Sequence, residues 1–368
     1  MSLVAPGSTI GILGGGQLGR MLALAAASLG YRCHIFTPEA DSPAAQVAAA
    51  ATVADYDDAA ALDRFAASIH VATFEFENVP VAAAERIAQV VALHPGADVL
   101  RITQDRLLEK QFLGRLGIET APFAPIVDLQ QCAAAANAIG TPSVLKTSRL
   151  GYDGKGQRMI PRGAPAEAVL EVWQGFGEAH CVLEGFVDFQ CEISVLVARA
   201  ADGEVATYVP VENRHANHIL ATTIAPAHIA PALAAKAERL GHEIAAALDF
   251  VGLLAVEMFV TGDGRVLVNE LAPRVHNSGH WTIEACVTSQ FEQHIRAICG
   301  LPLGNSARHS DAVMQNLIGG DVERWPEIVA DPENKLHLYG KVEARPGRKM
   351  GHVTRLYPLG SGPNQPKR

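Results

Sequence analysis

No run of lysine and arginine occurs anywhere in the 368 residues, and the formal charge is -9. That balance gives no bulk attraction to nucleic acid or to an anionic membrane surface. No two cysteines stand in C-x-x-C spacing. Cys33, Cys132, Cys181, Cys191, Cys286 and Cys299 therefore read as buried free thiols in a reducing compartment, with no disulfide framework. No charged-then-apolar leader opens the chain. Its apolar stretches are interrupted by charge or glycine well before membrane-spanning length. G-x-S-x-G and H-E-x-x-H are also missing, which argues against serine hydrolase, zinc protease and zinc-ribbon chemistry. No internal repeat is found. The expectation is a cytoplasmic protein with no nucleic-acid or membrane partner.

What is present is enough apolar residue, 49%, for sizeable cores, and a length that suggests two or three domains. Residues 8–13 predict a strand, residues 20–29 a helix and residues 32–37 a second strand. An alanine-rich helix is expected next, then Thr52-Val53-Ala54, a helix over 57–67, a strand over 71–74 and a helix over 81–90. This is a small, doubly wound parallel α/β domain. Residues 103–116 read as one charged helix and 118–123 as an extended linker. Short strands with few helices follow, as in an α+β module with antiparallel sheet. A helix is expected over 231–248 and another over 282–299. A smaller tail carries strands near 312–317 and 335–339 and a basic patch at 345–349.

Gly14-x-Gly16-x-x-Gly19 follows a strand, opens a helix, and has Glu39 twenty residues on. The spacing suits a dinucleotide. The physics is broader, because any phosphate suits close-approaching backbone at a helix N-terminus. Dinucleotide, another phosphate or ribose ligand, and plain packing all stay open. Phe74-Glu75-Phe76-Glu77-Asn78-Val79-Pro80 lies at the carboxyl end of a parallel strand, where α/β ligands bind. Gly151-Tyr152-Asp153-Gly154-Lys155-Gly156-Gln157 lacks the Walker A pattern and reads as a flap able to close over a triphosphate, with Lys146 a fixed cation nearby. A plain glycine hairpin is the alternative. His215 and His218 have no further ligand nearby in sequence, so polar loop contacts fit them better than metal.

The stretch 253–280 carries the sharpest pattern. Two apolar runs flank Gly262-Asp263-Gly264, a hairpin signal. With the turn centred between Asp263 and Gly264, Glu257 faces Glu270 at about 5 Å between Cβ atoms. Two facing carboxylates in apolar strands need compensating charge, for which a hard divalent cation with a phosphate ligand is suited. The competing reading is an exposed sheet face, and a one-residue shift would put Asn269 opposite Glu257. Arg274-Val275-His276-Asn277-Ser278-Gly279-His280 follows directly and suits a developing phosphoryl or carboxyl anion.

Together GGGQLGRM (14–21), TFEFENVP (73–80), GYDGKGQ (151–157), NELAPRVHNSGHWT (269–282) and HLYGK (337–341) closely resemble N5-carboxyaminoimidazole ribonucleotide synthetase, over residues 8 to about 355. Val275 departs from the proline expected there, which touches loop stiffness more than chemistry. The resemblance implies an ATP-grasp architecture: an N-terminal α/β domain (1–102), an ATP-grasp domain (103–304) and a small C-terminal domain (305–368). It implies a C–N-bond-forming ligase of purine biosynthesis. Bicarbonate is activated by ATP as carboxyphosphate, and 5-aminoimidazole ribonucleotide is carboxylated with release of ADP and phosphate. Mg2+ (or Mn2+) and a homodimer are implied too. The runner-up is another ATP-grasp enzyme, such as the formate-using glycinamide ribonucleotide formyltransferase. A non-catalytic nucleotide-binding regulator is third.

The same resemblance assigns residues. Arg106, Lys146, the flap Gly151, Tyr152, Asp153, Gly154, Lys155, Gly156 and Gln157, the hinge Glu184, Gly185, Phe186 and Val187, and Glu192, His215, Asn269 and Glu270 would contact ATP. Glu257 and Glu270 would hold the metal. Gly15, Gln17, Leu18, Glu75, Phe76, Glu77, Asn78, Tyr152, Asp153, Arg274, Lys341, Arg348 and Lys349 would surround the aminoimidazole ribonucleotide. Asp153, Arg274 and His276 are the implied catalytic groups, with Asp153 at the reacting amine and His276 at the carboxyphosphate.

Overall fold

The computed structural model describes residues 3–151, 155–165 and 167–362. Tyr152, Asp153 and Gly154 lie outside the described residues.

Strand β1 (Thr9–Leu13) runs into the glycine loop and helix α1 (Gln17–Ser28), and β2 (Arg32–Thr37) and β3 (Ala50–Val53) follow. Helix α2 (Ala59–Ala67), capped by Asp58, precedes β4 (Val71–Phe74) and α3 (Val81–Ala88). The sheet order is β3-β2-β1-β4, with every pairing parallel. The alanine-rich helix expected before β3 does not form, and residues 38–49 make a series of turns. Pro43 cannot donate to a helix. Ala44 instead donates its N–H to Gly15 O at 2.9 Å and is fully buried near Gly19.

The helix expected over 103–116 starts later, as α5 (Arg106–Arg115), and a separate helix α4 (Ala97–Thr103) precedes it. Asp105 is the reason. Its carboxylate accepts from Leu107 N at 3.0 Å and so starts a new helix. An antiparallel sheet ordered β5-β8-β6-β7 comes next. It consists of β5 (Phe123–Ile126), β6 (Ser143–Thr147), β7 (Gln157–Ile160) and β8 (Cys181–Gly185), packed against α6 (Leu129–Ile139) and α7 (Glu167–Gly175).

The largest sheet has nine strands: β9 (Phe189–Arg199), β10 (Val205–Thr207), β11 (Val211–Ala216), β12 (Ile219–Ala225), β13 (Gly252–Thr261), β14 (Val266–Ala272), β15 (Ser310–Ile318), β16 (Asn334–Leu338) and β17 (Lys349–Pro358). Helix α8 (Pro231–Leu248) covers one face. The helix expected over 282–299 breaks into α9 (Thr282–Ala285) and α10 (Gln290–Ile298). Val287 N bonds to Ala307 O at 3.0 Å, and Ser289 caps the second piece. The order is β14-β13-β9-β11-β12-β15-β17-β16, with β10 on β9. The C-terminal strands thus extend the central sheet through β12 and β15, which brings Lys349 to the same sheet as Glu257.

The hairpin β13–β14 pairs Glu257 with Glu270, but by a different route from the simple count. Val260 pairs with Val266, Thr261 N bonds to Arg265 O, and Gly264 has φ +81°. The loop is therefore three residues, Gly262-Asp263-Gly264, with glycine at the left-handed position. Continued regularly, this register would set Asn269 opposite Glu257 and turn Glu270 toward Val256, into the core under α8. A bulge between Glu257 and Met258 on one strand and around Asn269 on the other restores the carboxylate pair. Leu271 takes the core position instead.

Candidate active site

Each hairpin carboxylate has its own base. Glu257 Oε1 lies 3.0 Å from His276 Nε2, and Glu270 Oε2 accepts from Arg106 Nη1 at 2.9 Å. Their side chains are 18% and 38% exposed, so neither has the fully exposed position of the competing reading. Burial pushes the Glu257 carboxyl up, but the hydrogen bond from His276, with the charges of His215 and Lys349 behind it, holds it well below the usual carboxylate range. Two oxygen-donor side chains on one sheet face fit a hard cation. Among the described residues no three His, Cys, Asp or Glu side chains are grouped to hold a metal unaided. A cation here would complete its shell with ligand oxygens.

His276 is tightly held. Ser278 N–H donates to its Nδ1 at 3.3 Å, so Nδ1 is the acceptor and Nε2 carries the hydrogen that faces Glu257. Ser278 Oγ stands 2.9 Å from the same nitrogen and 2.7 Å from Ser194 Oγ. Asn213 and Thr223 continue this buried chain across the sheet. On the neighbouring strands His215 pairs with Glu192, which raises the histidine's pKa against the lowering effect of burial.

A second charged cluster lies beside Arg106. Glu184 is 3% exposed and receives Lys146 Nζ at 3.0 Å. Lys110 Nζ stands 3.3 Å from its other oxygen, an ion pair without hydrogen-bond alignment. Burial works to raise the Glu184 carboxyl, but Lys146, Lys110 and Arg106 hold it at about 2. Burial lowers Lys110, with Glu184 opposing. The flap starts close by. Gly156 O accepts from Thr147 N at 2.8 Å, and a Cβ on Gly151 would meet Arg106 Nη2 at 3.4 Å. Lys146 pairs with Gln157 across β6–β7. In the hinge, Gly185 N and Phe186 N donate to Pro122 O and Pro142 O, and Phe186 is exposed. Those two amides are therefore engaged within the chain.

The N-terminal sheet supplies the opposite wall. Glu75 is buried, and its carboxylate accepts from Gly16 N and from Gly19 N, the latter at 2.9 Å. The helix N-terminus that would take a dinucleotide phosphate is thus filled by the chain's own anion. Cβ atoms on Gly14 or Gly16 would collide with that side chain, which explains both glycines by packing. Leu18 packs into the core, Gln17 opens α1, and Gly15 lies against Ser42. Glu77 pairs with Arg274 Nε, joining this wall to the loop after the hairpin. Burial would raise Glu77, but Arg274 holds it at about 2. Phe76 and Asn78 are half-buried beside it. From the C-terminal strands, Lys341 Nζ donates to Lys349 O at 2.7 Å over the Tyr339 ring, and Arg348 Nη1 donates to Glu343 O at 3.0 Å.

Sequence reading missed Glu109 and Lys110, which share the buried face of α5 with Phe112 and Leu113. Charges at the helical spacing of an apolar face were the available signal. It placed Ser278 in the loop suited to an anion but gave no individual role to Ser278, Gln290 or Asn213, whose bonds to one another's neighbours cross irregular loops and separate strands and leave no local pattern.

Residues 7–104 match the ribonucleotide synthetase preATP-grasp domain, 111–291 the ATP-grasp domain and 312–358 the phosphoribosylaminoimidazole carboxylase C-terminal domain. The chain is 53% identical over 353 residues to the N5-carboxyaminoimidazole ribonucleotide synthase of Brucella melitensis, covering 96% of this chain and 97% of that protein. It is 44% identical over 355 residues to the Bacillus subtilis enzyme of the same name, covering 96% and 92%. A crystal structure of an N5-carboxyaminoimidazole ribonucleotide synthetase with ADP superposes with a TM-score of 0.92 at 43% identity, covering 97% of this chain and 94% of that one. The Aspergillus clavatus synthase with ADP and 5-aminoimidazole ribonucleotide gives 0.87 at 31%, covering 96% and 94%.

Proposed function

The chain belongs to the N5-carboxyaminoimidazole ribonucleotide synthase family, and we propose that it carboxylates the exocyclic amine of 5-aminoimidazole ribonucleotide with bicarbonate, using ATP. Bicarbonate takes the γ-phosphoryl group to give carboxyphosphate and ADP. The amine nitrogen then bonds the carboxyl carbon as the bond from that carbon to the phosphate oxygen breaks, and the amine gives up a proton. The observation that carries this reading is the Arg274–Glu77 ion pair. It brings the strand-end loop of a nucleotide-type α/β domain against the loop that follows the carboxylate hairpin.

In this reading Glu184 to Val187, Glu192, His215 and Lys146 bind the nucleotide, and the 151–157 flap covers its phosphates. Glu257 and Glu270 would hold Mg2+ (or Mn2+), which when bound would neutralise charge on the phosphates. Positioning and charge neutralisation dominate phosphoryl transfer. Arg106 keeps Glu270 turned into the site. His276 stands in the carboxyphosphate region with its Nε2–H on Glu257, and Arg274 adds a positive charge there. Lys341, Arg348 and Lys349 neutralise the 5′-phosphate of the ribonucleotide, a task suited to paired cations. Asp153 contacts the amine. The division at residues 102/103 and 304/305, a homodimer and a cytoplasmic location belong to the same reading.

The test is ATP turnover in Mg2+ with bicarbonate and aminoimidazole ribonucleotide added singly and together. Turnover rises most with both, and one ADP accompanies each carboxylated product. Turnover indifferent to aminoimidazole ribonucleotide, or supported instead by formate and glycinamide ribonucleotide, would refute it.

A further inference from the structure

Gln290 opens α10 at a position with no exposed surface. Its side-chain amide is used on both faces of one residue. Oε1 accepts from His276 N at 2.9 Å, and Nε2 donates to His276 O at 2.7 Å. A primary amide bonded to the N–H and C=O of one residue imitates a strand partner, so it fixes that residue's backbone where no strand is available. The grip is itself braced. Gln290 N donates to Thr282 Oγ1 at 2.9 Å, and that hydroxyl donates to Gly279 O at 2.6 Å. Any Cβ on Gly279 would stand 2.4 Å from Gln290 Oε1, so glycine leaves room for the amide. Nε2 also stands 3.3 Å from His280 Nδ1. Gln290 is thus the fixed point of the 276–282 loop. The imidazole it carries is the one whose Nε2 meets Glu257 at 3.0 Å.

We infer that Gln290 is a positioning residue for the carboxylation step: it touches no reactant, and it sets where the His276 imidazole stands beside the carboxylate hairpin. The inference rests on the role given above to His276. Displacing a reacting group by about 1 Å can cost on the order of a hundredfold in rate.

The test is a double-mutant cycle on kcat with Gln290→Met, which keeps the length of the side chain and removes both bonds, and His276→Asn. Gln290→Met should lower kcat by about ten- to a hundredfold and leave Mg-ATP affinity, measured by calorimetry, within about twofold. It should also lower the ratio of carboxylated product to ADP, which general loosening of the fold would not do. In the His276→Asn background the same change should cost little more, because two residues acting through one group are not additive. Full kcat in Gln290→Met, or losses that multiply in the double variant, would overturn the inference while leaving the His276 reading intact. Full turnover in His276→Asn alone would overturn that reading and the inference with it. Should Gln290→Met fail to fold, Gln290→Glu replaces it in the cycle. It retains the oxygen that accepts from His276 N, loses the donor to His276 O, and carries the same expectations.

Discussion

Glu184→Gln isolates what a buried charge cluster contributes. Glu184 is 3% exposed, Lys110 is 1% exposed and Lys146 lies at the rim, with Nζ–carboxylate distances of 3.3 Å and 3.0 Å. The glutamine has nearly the same shape, so packing barely changes, but Lys110 is left buried beside a neutral amide. Removing one partner of such a pair typically costs about 3–5 kcal/mol. Lys110→Met should cost far less, about 1 kcal/mol or nothing, because Glu184 keeps Lys146 and a buried apolar side chain replaces a buried cation. The double variant should be more stable than Glu184→Gln alone, since the stranded charge has gone. Urea unfolding followed by tryptophan fluorescence reads this directly, because Trp173 lies in the small core beneath β8. A cost below about 1 kcal/mol for Glu184→Gln, or two single losses that simply add, would contradict a stranded charge at Lys110.

His294 is fully buried between domains, accepting from Leu253 N at 3.1 Å and meeting Thr73 Oγ1 at 2.8 Å, and burial lowers its pKa from 6.5 to about 3. A depressed folded value stabilises the neutral form. The contribution is complete above the unfolded value and is lost progressively as the pH falls from 6.5 toward 3. At pH 5 the loss from this group is about 2 kcal/mol. Urea midpoints at pH 7.5 and 5 should therefore converge in His294→Gln relative to the parent, and equal acid sensitivity would contradict the assignment. Arg274→Met strands Glu77 and removes a cation from the wall proposed to bind the ribonucleotide. KM for aminoimidazole ribonucleotide should rise at least about tenfold with Mg-ATP affinity nearly unchanged; steady-state kinetics and calorimetry decide, and a selective loss of ATP binding would contradict it.

Local pattern made the fold readable where one residue's neighbours in sequence are its neighbours in space. The strand at Val71–Phe74 and the helix at Pro231–Leu248 fall where apolar spacing set them. The breaks at Asp105 and Ser289 were hidden because a capping side chain interrupted an otherwise continuous helical pattern. The hairpin is instructive in another way. Counting from the wrong turn centre reached the right pair, because the bulge at Asn269 moves the register by the residue that the three-residue loop had shifted it. The glycine loop was ambiguous in sequence because its deciding partner, Glu75, is more than fifty residues away. The roles of Gln290 and Ser278 were hidden differently, because the loop that brings His276 to them is irregular and gives no periodic spacing. Their meaning lies in what folding brings to them.

Glu257 and Glu270, set on one face by the bulge, are proposed as the metal and phosphate centre of an ATP-dependent carboxylation. Glu270→Gln tests this most directly, because the amide keeps the shape and can still meet Arg106 but lacks the charge for a cation. Mg-ATP turnover in the presence of bicarbonate and aminoimidazole ribonucleotide should fall at least about a hundredfold, with the urea midpoint close to that of the parent chain. Turnover retained in a folded Glu270→Gln protein would show that the carboxylate pair is not the metal site.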